Sequence, residues 1–275
     1  MFGWGIYDFF AGVYARKIGP FKTFFWSQLS GLVFVLFLIA VFTLSRHLHV
    51  RELILLPIAA LCYSIGYLLF MKGFAIGNIS IVAAIMNLWA VFTMLIAYAF
   101  MGQRLSTLQF IGVLMIIGGT ASAALNWRDI QNRSFALSAG VKETVIGAFF
   151  FGVFWNISEI ISEEIGWLST TLGVKFGIIV ILLMVSFLAK RELSLTRADV
   201  KTKSVVALMG VLDAGAVAVV NFGLTVGDAI LITPIASALS VVTITMALVF
   251  LKDRITLPQG LGIATAVLGI IITGL

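Results

Sequence analysis

Long apolar runs separated by short polar or charged segments make up most of this chain. A run of about 20 apolar residues is long enough to cross the ~30 Å hydrocarbon core of a bilayer as a helix. Alternation of apolar and polar residues over ~10 positions, which membrane barrel strands require, is missing from the pattern. The pattern predicts an all-α membrane protein with ten transmembrane helices. The predicted spans are 2–18, 21–44, 53–76, 79–101, 106–125, 143–163, 167–189, 203–226, 229–251 and 256–275.

Composition supports a multi-pass protein of the cell membrane. Of the 275 residues 61% are hydrophobic and 11% are charged, whereas soluble domains carry about 25% charged residues. The net charge of +6 does not indicate nucleic-acid binding, because the basic residues stand beside predicted helix ends. There they act as topology signals and contact anionic lipid headgroups, so membrane lipid is the expected partner.

The two halves of the chain are copies of one unit. Sliding the sequence by 150 positions sets 73–125 on 223–275 without a gap, and 12 of the 53 pairs are identical, among them Arg104/Arg254 and Gln109/Gln259. An offset of 147 sets WGIYDFFAGVYARKIG on FGVFWNISEIISEEIG. Each copy holds five spans, an odd number, so the second copy enters the membrane from the opposite side. We expect two inverted repeats, at 1–125 and 143–275, joined by a loop at 126–142.

Loop charges predict an orientation. Loops after odd-numbered spans hold 13 basic residues and loops after even-numbered spans hold three, with Lys72 and Lys175 left inside spans. The positive-inside rule then places the odd loops in the cytoplasm and both termini outside.

Both repeats resemble the EamA-type transporters of the drug/metabolite transporter superfamily. The resemblance rests on MKGFAIGNISIVAAIMNLWAVFTMLIAYAFMGQRLSTLQFIGVLMIIGG in the first half and on GVLDAGAVAVVNFGLTVGDAILITPIASALSVVTITMALVFLKDRITLPQGLGIATAVLGI in the second. It implies ten helices, a central cavity between the halves and alternating access. It also implies cytoplasmic termini, which is the opposite of the orientation that the loop charges predict.

The chain departs from the family pattern at four positions. Gln103 and Asp253 stand where the family commonly has glutamate before arginine. Ala90 and Ser240 stand where it often has proline, so two residues that would kink these helices are missing.

Charged residues inside the spans are the first candidates for a substrate site. A central Asp or Lys costs about 2.5–3.5 kcal/mol on insertion scales and normally faces the bundle interior or water. Asp213 shares a helical face with Asn221. On the equivalent first-half helix, Tyr63 is the counterpart of Asp213 and Tyr67 lies one turn from it. These four residues are predicted to line one cavity. The alternative is that Asp213 only holds a neighbouring helix through hydrogen bonds.

The first and sixth spans each place an acid near an aromatic residue. The first carries Trp4, Tyr7 and Asp8, and the sixth carries Trp155, Asn156 and Glu159. Such pairs hold a cationic or zwitterionic substrate by cation–π contact and charge pairing. The alternative for the tryptophans is an interface anchor.

The roles of several further polar residues have two interpretations each. Asn87 and Ser237 are repeat equivalents that either bind substrate or make an interhelical hydrogen bond worth about 0.6 kcal/mol. We expect Lys72 to snorkel to the interface, and Lys175 to snorkel or to form a structural pair. Glycine faces such as Gly112/Gly119 and Gly262/Gly269 predict close packing of the fifth helix on the tenth or of two copies of the chain in a homo-oligomer.

Motifs for enzymes and cofactors are absent from the sequence. It contains no HExxH, GxSxG, P-loop or CxxC, so we expect no metal, no cofactor and no ATP hydrolysis. The leading hypothesis is a secondary transporter that exports small organic metabolites such as amino acids, amines or drugs. Asp8, Glu159 and Asp213 are its candidates for proton coupling. The alternatives are a sugar or nucleotide-sugar transporter, and a non-transporting membrane scaffold or enzyme.

Overall fold

The computed structural model describes residues 2–42, 50–125 and 137–274, and almost all of them are helical. Within these ranges ten helical segments follow the predicted spans to within about three residues, except that the second helix ends earlier, at Ile39. The last residues of the second and tenth predicted spans lie outside the described ranges. The segments are α1 (Phe2–Ile18), α2 (Pro20–Ile39), α3 (Val50–Ile76), α4 (Ile79–Phe100), α5 (Thr107–Ala124), α6 (Val141–Ile165), α7 (Trp167–Leu188), α8 (Val200–Leu224), α9 (Ala229–Leu251) and α10 (Leu257–Thr273).

Length and hydropathy support a multi-pass membrane protein. Eight of the described segments, α2 to α9, are long and apolar enough to cross a bilayer. The apolar helix α10 has 17 residues and is shorter than these eight, and α1 also has 17 residues. The all-helical membrane class is therefore confirmed for the described residues, and eight crossings are supported by length and composition.

The helices α4 and α9 are broken near equivalent positions. In α4 the pieces Ile79–Met86 and Leu88–Phe100 meet at Asn87, and in α9 the pieces Ala229–Ser237 and Leu239–Met246 meet at Ala238. At Asn87 the backbone N–H bonds the carbonyl three residues earlier, 3.2 Å away, instead of four, which tightens the turn. The break in α4 therefore forms without a proline at Ala90, whereas α9, which lacks proline at Ser240, carries Pro234 four residues before its break.

Glycines let α5 and α10 pack closely within one chain. A Cβ added to Gly119 would lie 2.5 Å from the carbonyl oxygen of Gly262, and one added to Gly112 would lie 2.7 Å from that of Gly269. The residue numbers rise along α5 as they fall along α10, so the two helices are antiparallel. Of the two predicted roles for these faces, the contact between the fifth and tenth helices is present.

The repeated glutamines have a local structural role. Gln109 and Gln259 each complete a capping box at the start of α5 and α10, with Ser106 and Thr256 as the N-cap residues. The recurring motif that revealed the repeat thus marks two equivalent helix starts.

Candidate functional site

A buried hydrogen-bond network centred on Asp213 joins five helices. Its Oδ1 accepts hydrogen bonds from Trp4 Nε1 at 2.9 Å and from Tyr63 Oη at 2.8 Å. Its Oδ2 accepts from Gln28 Nε2 at 2.8 Å and from Lys175 Nζ at 2.5 Å. Asp213 and Lys175 are fully buried, so Asp213 is held by neighbouring helices, and Lys175 forms a structural pair and does not snorkel.

Repeat-equivalent residues bond each other directly in this network. Tyr63 and Asp213 are 150 positions apart, and Lys175 donates to Gln28 Oε1 at 2.7 Å across 147 positions. These are the two offsets that relate the halves of the sequence. Equivalent residues can touch only where the pseudo-twofold axis passes between them, so the network lies on the axis that relates the repeats.

Asp8 lies near this network, and no counter-ion contacts it within the described part of the chain. It is 1% exposed, and neither carboxylate oxygen has a hydrogen-bond partner within the described residues. The charge of Asp213 acts on it, and its own charge acts on Tyr67. Because Lys175 already neutralises Asp213, an ionised Asp8 is an uncompensated charge in an apolar core, which is costly unless a ligand or a proton compensates it.

Three tryptophans lie together beside these acids. The Trp4 and Trp155 ring centroids are 5.6 Å apart, and the Trp89 and Trp155 centroids are 5.9 Å apart. The indole N–H of Trp155 is buried and unpartnered among residues 2–42, 50–125 and 137–274. Trp4 and Trp155 are 1% and 0% exposed, so they do not anchor the protein at the membrane interface.

The remaining predicted residues are buried in different settings. Tyr7 Oη lies 3.4 Å from Ser27 Oγ, and the Tyr7 and Tyr67 rings meet edge to face. Asn221 accepts from Ser158 and donates to Thr171, so it links three helices. Ser237 bonds its own helix at Pro234.

The side chain of Asn87 differs in its hydrogen bonding from that of its repeat equivalent Ser237. Both side-chain polar atoms of Asn87, at the break of α4, are buried and find no partner in the described part of the chain. An amide with two unused polar atoms at a helix break is available to a ligand.

Glu159 lies at one end of the bundle, away from the axis network. Its Oε1 accepts from Gln103 Nε2 and from the backbone N–H of Ala229, both at 2.8 Å. Gln103 Oε1 in turn accepts from Ile230 N at 3.1 Å. These bonds join the loop after α4 in the first repeat to the starting turn of α9 in the second.

A pseudo-symmetric contact closes the opposite end. Asp253, the equivalent of Gln103, accepts from the backbone N–H and the hydroxyl of Ser80, both at 3.0 Å. Ser80 is the equivalent of Ile230, so each repeat caps the fourth helix of the other at one end. Arg16 reinforces this end by donating to the carbonyl oxygens of Phe74 and Gly77.

Surface charges at the same end form ordinary pairs. Lys22 contacts Glu192 at 2.8 Å, and this contact lowers the pKa of Glu192. Hydrogen bonds from the hydroxyl and the backbone N–H of Thr202, followed by the charge of Lys17, lower the pKa of Asp199 to about 2. Asp199 thereby caps α8, and none of these groups reaches the core.

Hydrogen bonds between the two repeats bridge both ends of the bundle. Grooves of 610, 490, 370 and 650 Å³ lie between helices or beside loops. Within the described ranges, the linings of these four grooves do not include Asp8, Asn87 or Asp213.

Two candidate residues of the site are not among those predicted from the sequence. Gln28 was not singled out, although the offset of 147 pairs it with Lys175. Gln103 was noted only as a departure from a pattern, and its bond to Glu159 depends on how two distant loops meet. Continuing the 147-residue alignment into the second span pairs Gln28 with Lys175, and this pairing is the sequence signal that identifies Gln28.

Comparisons with known proteins agree with this architecture. The sequence model of the EamA-like transporter family matches residues 1–125 and 139–275. A solved structure described only as the crystal structure of a protein superposes with a TM-score of 0.69 at 14% identity, covering 98% of this chain and 94% of the other. At that identity the likeness shows the fold alone. A comparison with curated proteins finds no significant match.

Proposed function

Since the chain belongs to the EamA-like transporter family, we propose that it is a secondary transporter that exports small organic metabolites, namely amino acids, amines or drugs. In this proposal ten crossing helices form two five-helix halves, 1–125 and 143–275. A central cavity between the halves opens to one side of the cell membrane at a time.

The uncompensated carboxyl group of Asp8 is the observation that favours an amine or amino-acid substrate. Asp8 is buried, both its oxygens are unpartnered in the described structure, and Trp4 lies one turn away on the same helix. A substrate ammonium group satisfies both features, because it pairs with the carboxylate and lies over an aromatic face. Asn87, with its free amide, is suited to a carboxylate or carbonyl group of the same substrate.

Alternating access is supported by the two closures at opposite ends. One consists of Gln103, Glu159 and the start of α9, and the other of Asp253, Ser80 and Arg16. The first closure joins the two repeats through Glu159 and Gln103. In the second, Asp253 and Ser80 join the two repeats, and Arg16 joins α1 to the end of α3 and the turn after it. Rocking one repeat against the other breaks one set while the other persists, as inverted-repeat transporters require.

The alternative substrates fit less well. A nucleotide sugar requires free cations at the site, but Lys175 is paired with Asp213 and Lys72 with Glu143 at 3.0 Å. A non-transporting scaffold has no use for an unpaired buried acid, and an intramembrane enzyme is disfavoured because the matched family is one of transporters. These alternatives remain outcomes of the experiment below.

The first experiment is a thermal-shift screen of the purified chain against amino acids, amines, sugars and nucleotides. A ligand that binds only the folded state raises its stability by about 2.7 kcal/mol at 100 times Kd. We expect stabilisation by an amine or amino acid that disappears in Asp8→Asn and persists in Asp228→Asn, a matched control at a turn.

Counterflow of the stabilising compound in proteoliposomes then tests transport, and oriented vesicles test export. Stabilisation by sugars or nucleotides that survives Asp8→Asn would contradict the proposed class. Binding without counterflow would contradict transport itself.

A further inference from the structure

Three unpartnered oxygens lie along one face of α6, from the bundle interior to the closed end. They are Asn156 Oδ1, Glu159 Oε2 and Ser162 Oγ, and each lacks a hydrogen-bond partner among the described residues. The three side chains are 4%, 1% and 1% exposed. Their spacing of three residues places them on adjacent turns, about 4.5 Å apart along the helix axis.

The other repeat shows that the fold itself does not need this polar track. At the offset of 147 the equivalents of Asn156, Glu159 and Ser162 are Phe9, Gly12 and Ala15 of α1. Gly12 lies against Ile79 at the start of α4, just as Glu159 lies against Ala229 at the start of α9. The same architecture thus accepts apolar residues at one end and carries three oxygens at the other.

The acceptors Asn156 Oδ1 and Glu159 Oε2 can be matched if Glu159 carries a proton. Asn156 donates through Nδ2 to the carbonyl oxygens of Gly152 and Thr93, so its Oδ1 is the acceptor that remains. An ionised Glu159 also offers only an acceptor at Oε2. Within the described ranges, these two buried acceptors one turn apart have no donor at hydrogen-bond distance. One proton on Glu159 supplies a donor, because the resulting O–H can donate to Asn156 Oδ1.

We propose that Glu159 is the coupling-proton site of this transporter, fed from the α8–α9 end along Ser162, with Asn156 as the acceptor for the bound proton. The proposal rests on the proposed transport function and adds the ion that drives it. The proton comes from the aqueous phase at that end, binds Oε2, and returns to water when Glu159 ionises again.

Protonation of Glu159 weakens the closure that it helps to form. Hydrogen bonds to an ionised acceptor are roughly twice as strong as neutral ones. Loss of the charge therefore weakens the contacts with Gln103 Nε2 and Ala229 N together. The opposite end has glycine at the equivalent position, so proton binding opens one end selectively.

Among the described residues, no cation is recorded in a contact with Glu159, and Arg104, next to Gln103, lies over the Tyr98 ring at 5.6 Å. The charges that act on it are acidic, from Glu163 on the next turn and Asp228 at the start of α9. On the other packed helices, Arg51 of α3 pairs with Glu164 at 3.7 Å, Lys175 of α7 is held by Asp213, and residues 79–100 contain no charged side chain. Asp213 of α8 is itself neutralised by Lys175.

Infrared difference spectroscopy of the reconstituted full chain tests the proton site directly. Moving from mildly alkaline to mildly acidic pH should produce the carbonyl band of a protonated carboxyl group. All variants carry Asp8→Asn, which removes the other unpartnered buried carboxyl group. In this background we expect the band to be lost in Glu159→Gln, to return at a shifted position in Glu159→Asp, and to persist in Asp228→Asn. A band that survives in folded Glu159→Gln would overturn the proposal, as would its failure to return in Glu159→Asp.

Cysteine labelling tests the link to the closure. Thr93→Cys in a Cys62→Ala background puts a thiol on the buried residue whose carbonyl oxygen bonds Asn156. Its labelling rate is divided by that of the unfolded protein at the same pH. We expect the normalised rate to rise at least ~10-fold at acidic pH. The normalised labelling rate should be high at both pH values in Glu159→Gln and in Gln103→Ala. Unlike Glu159→Gln, Gln103→Ala should keep the infrared band.

A rate that does not change with pH, or that follows the Na⁺ concentration at constant pH, refutes proton coupling at this site. Neither measurement contains a substrate. Failure of the proton site is therefore distinguishable from failure of the ligand screen, which tests the proposed function.

Discussion

Removing the charge of Lys175 provides the sharpest test of the axis network. In Lys175→Met, Asp213 keeps three neutral donors, Trp4, Gln28 and Tyr63, but loses its counter-ion. Breaking a buried ion pair by removing one partner costs about 3–5 kcal/mol. For a chain of this size such a loss lowers the apparent Tm by roughly 6–20 °C. The measurement is thermal unfolding of the purified protein in detergent.

The double variant Lys175→Met/Asp213→Leu separates pairing from simple damage to the core. Replacing a whole buried pair by apolar residues is often nearly neutral, although here three donors lose their acceptor at about 1–3 kcal/mol each. We expect the double variant to cost at least ~2 kcal/mol less than the sum of the two single variants. Additive costs would refute direct pairing of the two charges.

An exposed lysine pair supplies the matched control. Lys72 contacts Glu143 at 3.0 Å, but its side chain is 57% exposed. Exposed pairs contribute about 0–1 kcal/mol, so Lys72→Met should leave Tm nearly unchanged. Equal losses for Lys72→Met and Lys175→Met would show that burial of the pair does not determine its contribution.

Three further predictions follow from single contacts. Gly119→Ala should destabilise by about 1–3 kcal/mol, because its Cβ meets the backbone of α10 at 2.5 Å, whereas Gly118→Ala, with nothing within 4 Å, should be neutral or slightly stabilising in the same melt. Asp199→Ala should lower Tm at neutral pH; because the pKa of Asp199 falls from 3.8 to about 2 on folding, its contribution is present above pH 3.8, and the Tm difference should vanish as pH falls through 2. A cysteine at Thr196, in the basic loop after α7, should react with an impermeant maleimide only after cells are permeabilised; labelling of intact cells would favour the orientation with cytoplasmic termini instead.

The positions of the helices could be predicted well from the sequence. Apolar runs must reach across the bilayer, so their length and borders appear directly in the residue pattern, as α9 at Ala229–Leu251 illustrates. The contact between α5 and α10 was among the predicted roles of the glycines, because close backbone approach requires small side chains in both helices.

The site was only partly predictable, because burial and partnership are different properties. Hydropathy marked Asp8, Glu159 and Asp213 alike as acids inside apolar runs. The structure gives Asp213 four donors. Among the residues it describes, both oxygens of Asp8 are unpartnered, and Glu159 has one hydrogen-bonded and one unpartnered oxygen. Which donors reach which acid depends on how helices far apart in the chain cross.

The sequence alone determined that this protein is helical, membrane-spanning and internally repeated, because each of these properties is set by neighbours along the chain or by a constant offset. Only the tertiary structure decided which polar groups meet. Lys175 and Gln28 reach Asp213 because α2, α7 and α8 converge on the pseudo-twofold axis, and Gln103 reaches Glu159 because loops of opposite repeats meet at one end. A hydrogen bond depends on differences of a few tenths of an ångström in the distance between side chains that here are 38 or more residues apart. No periodicity along the chain encodes such differences.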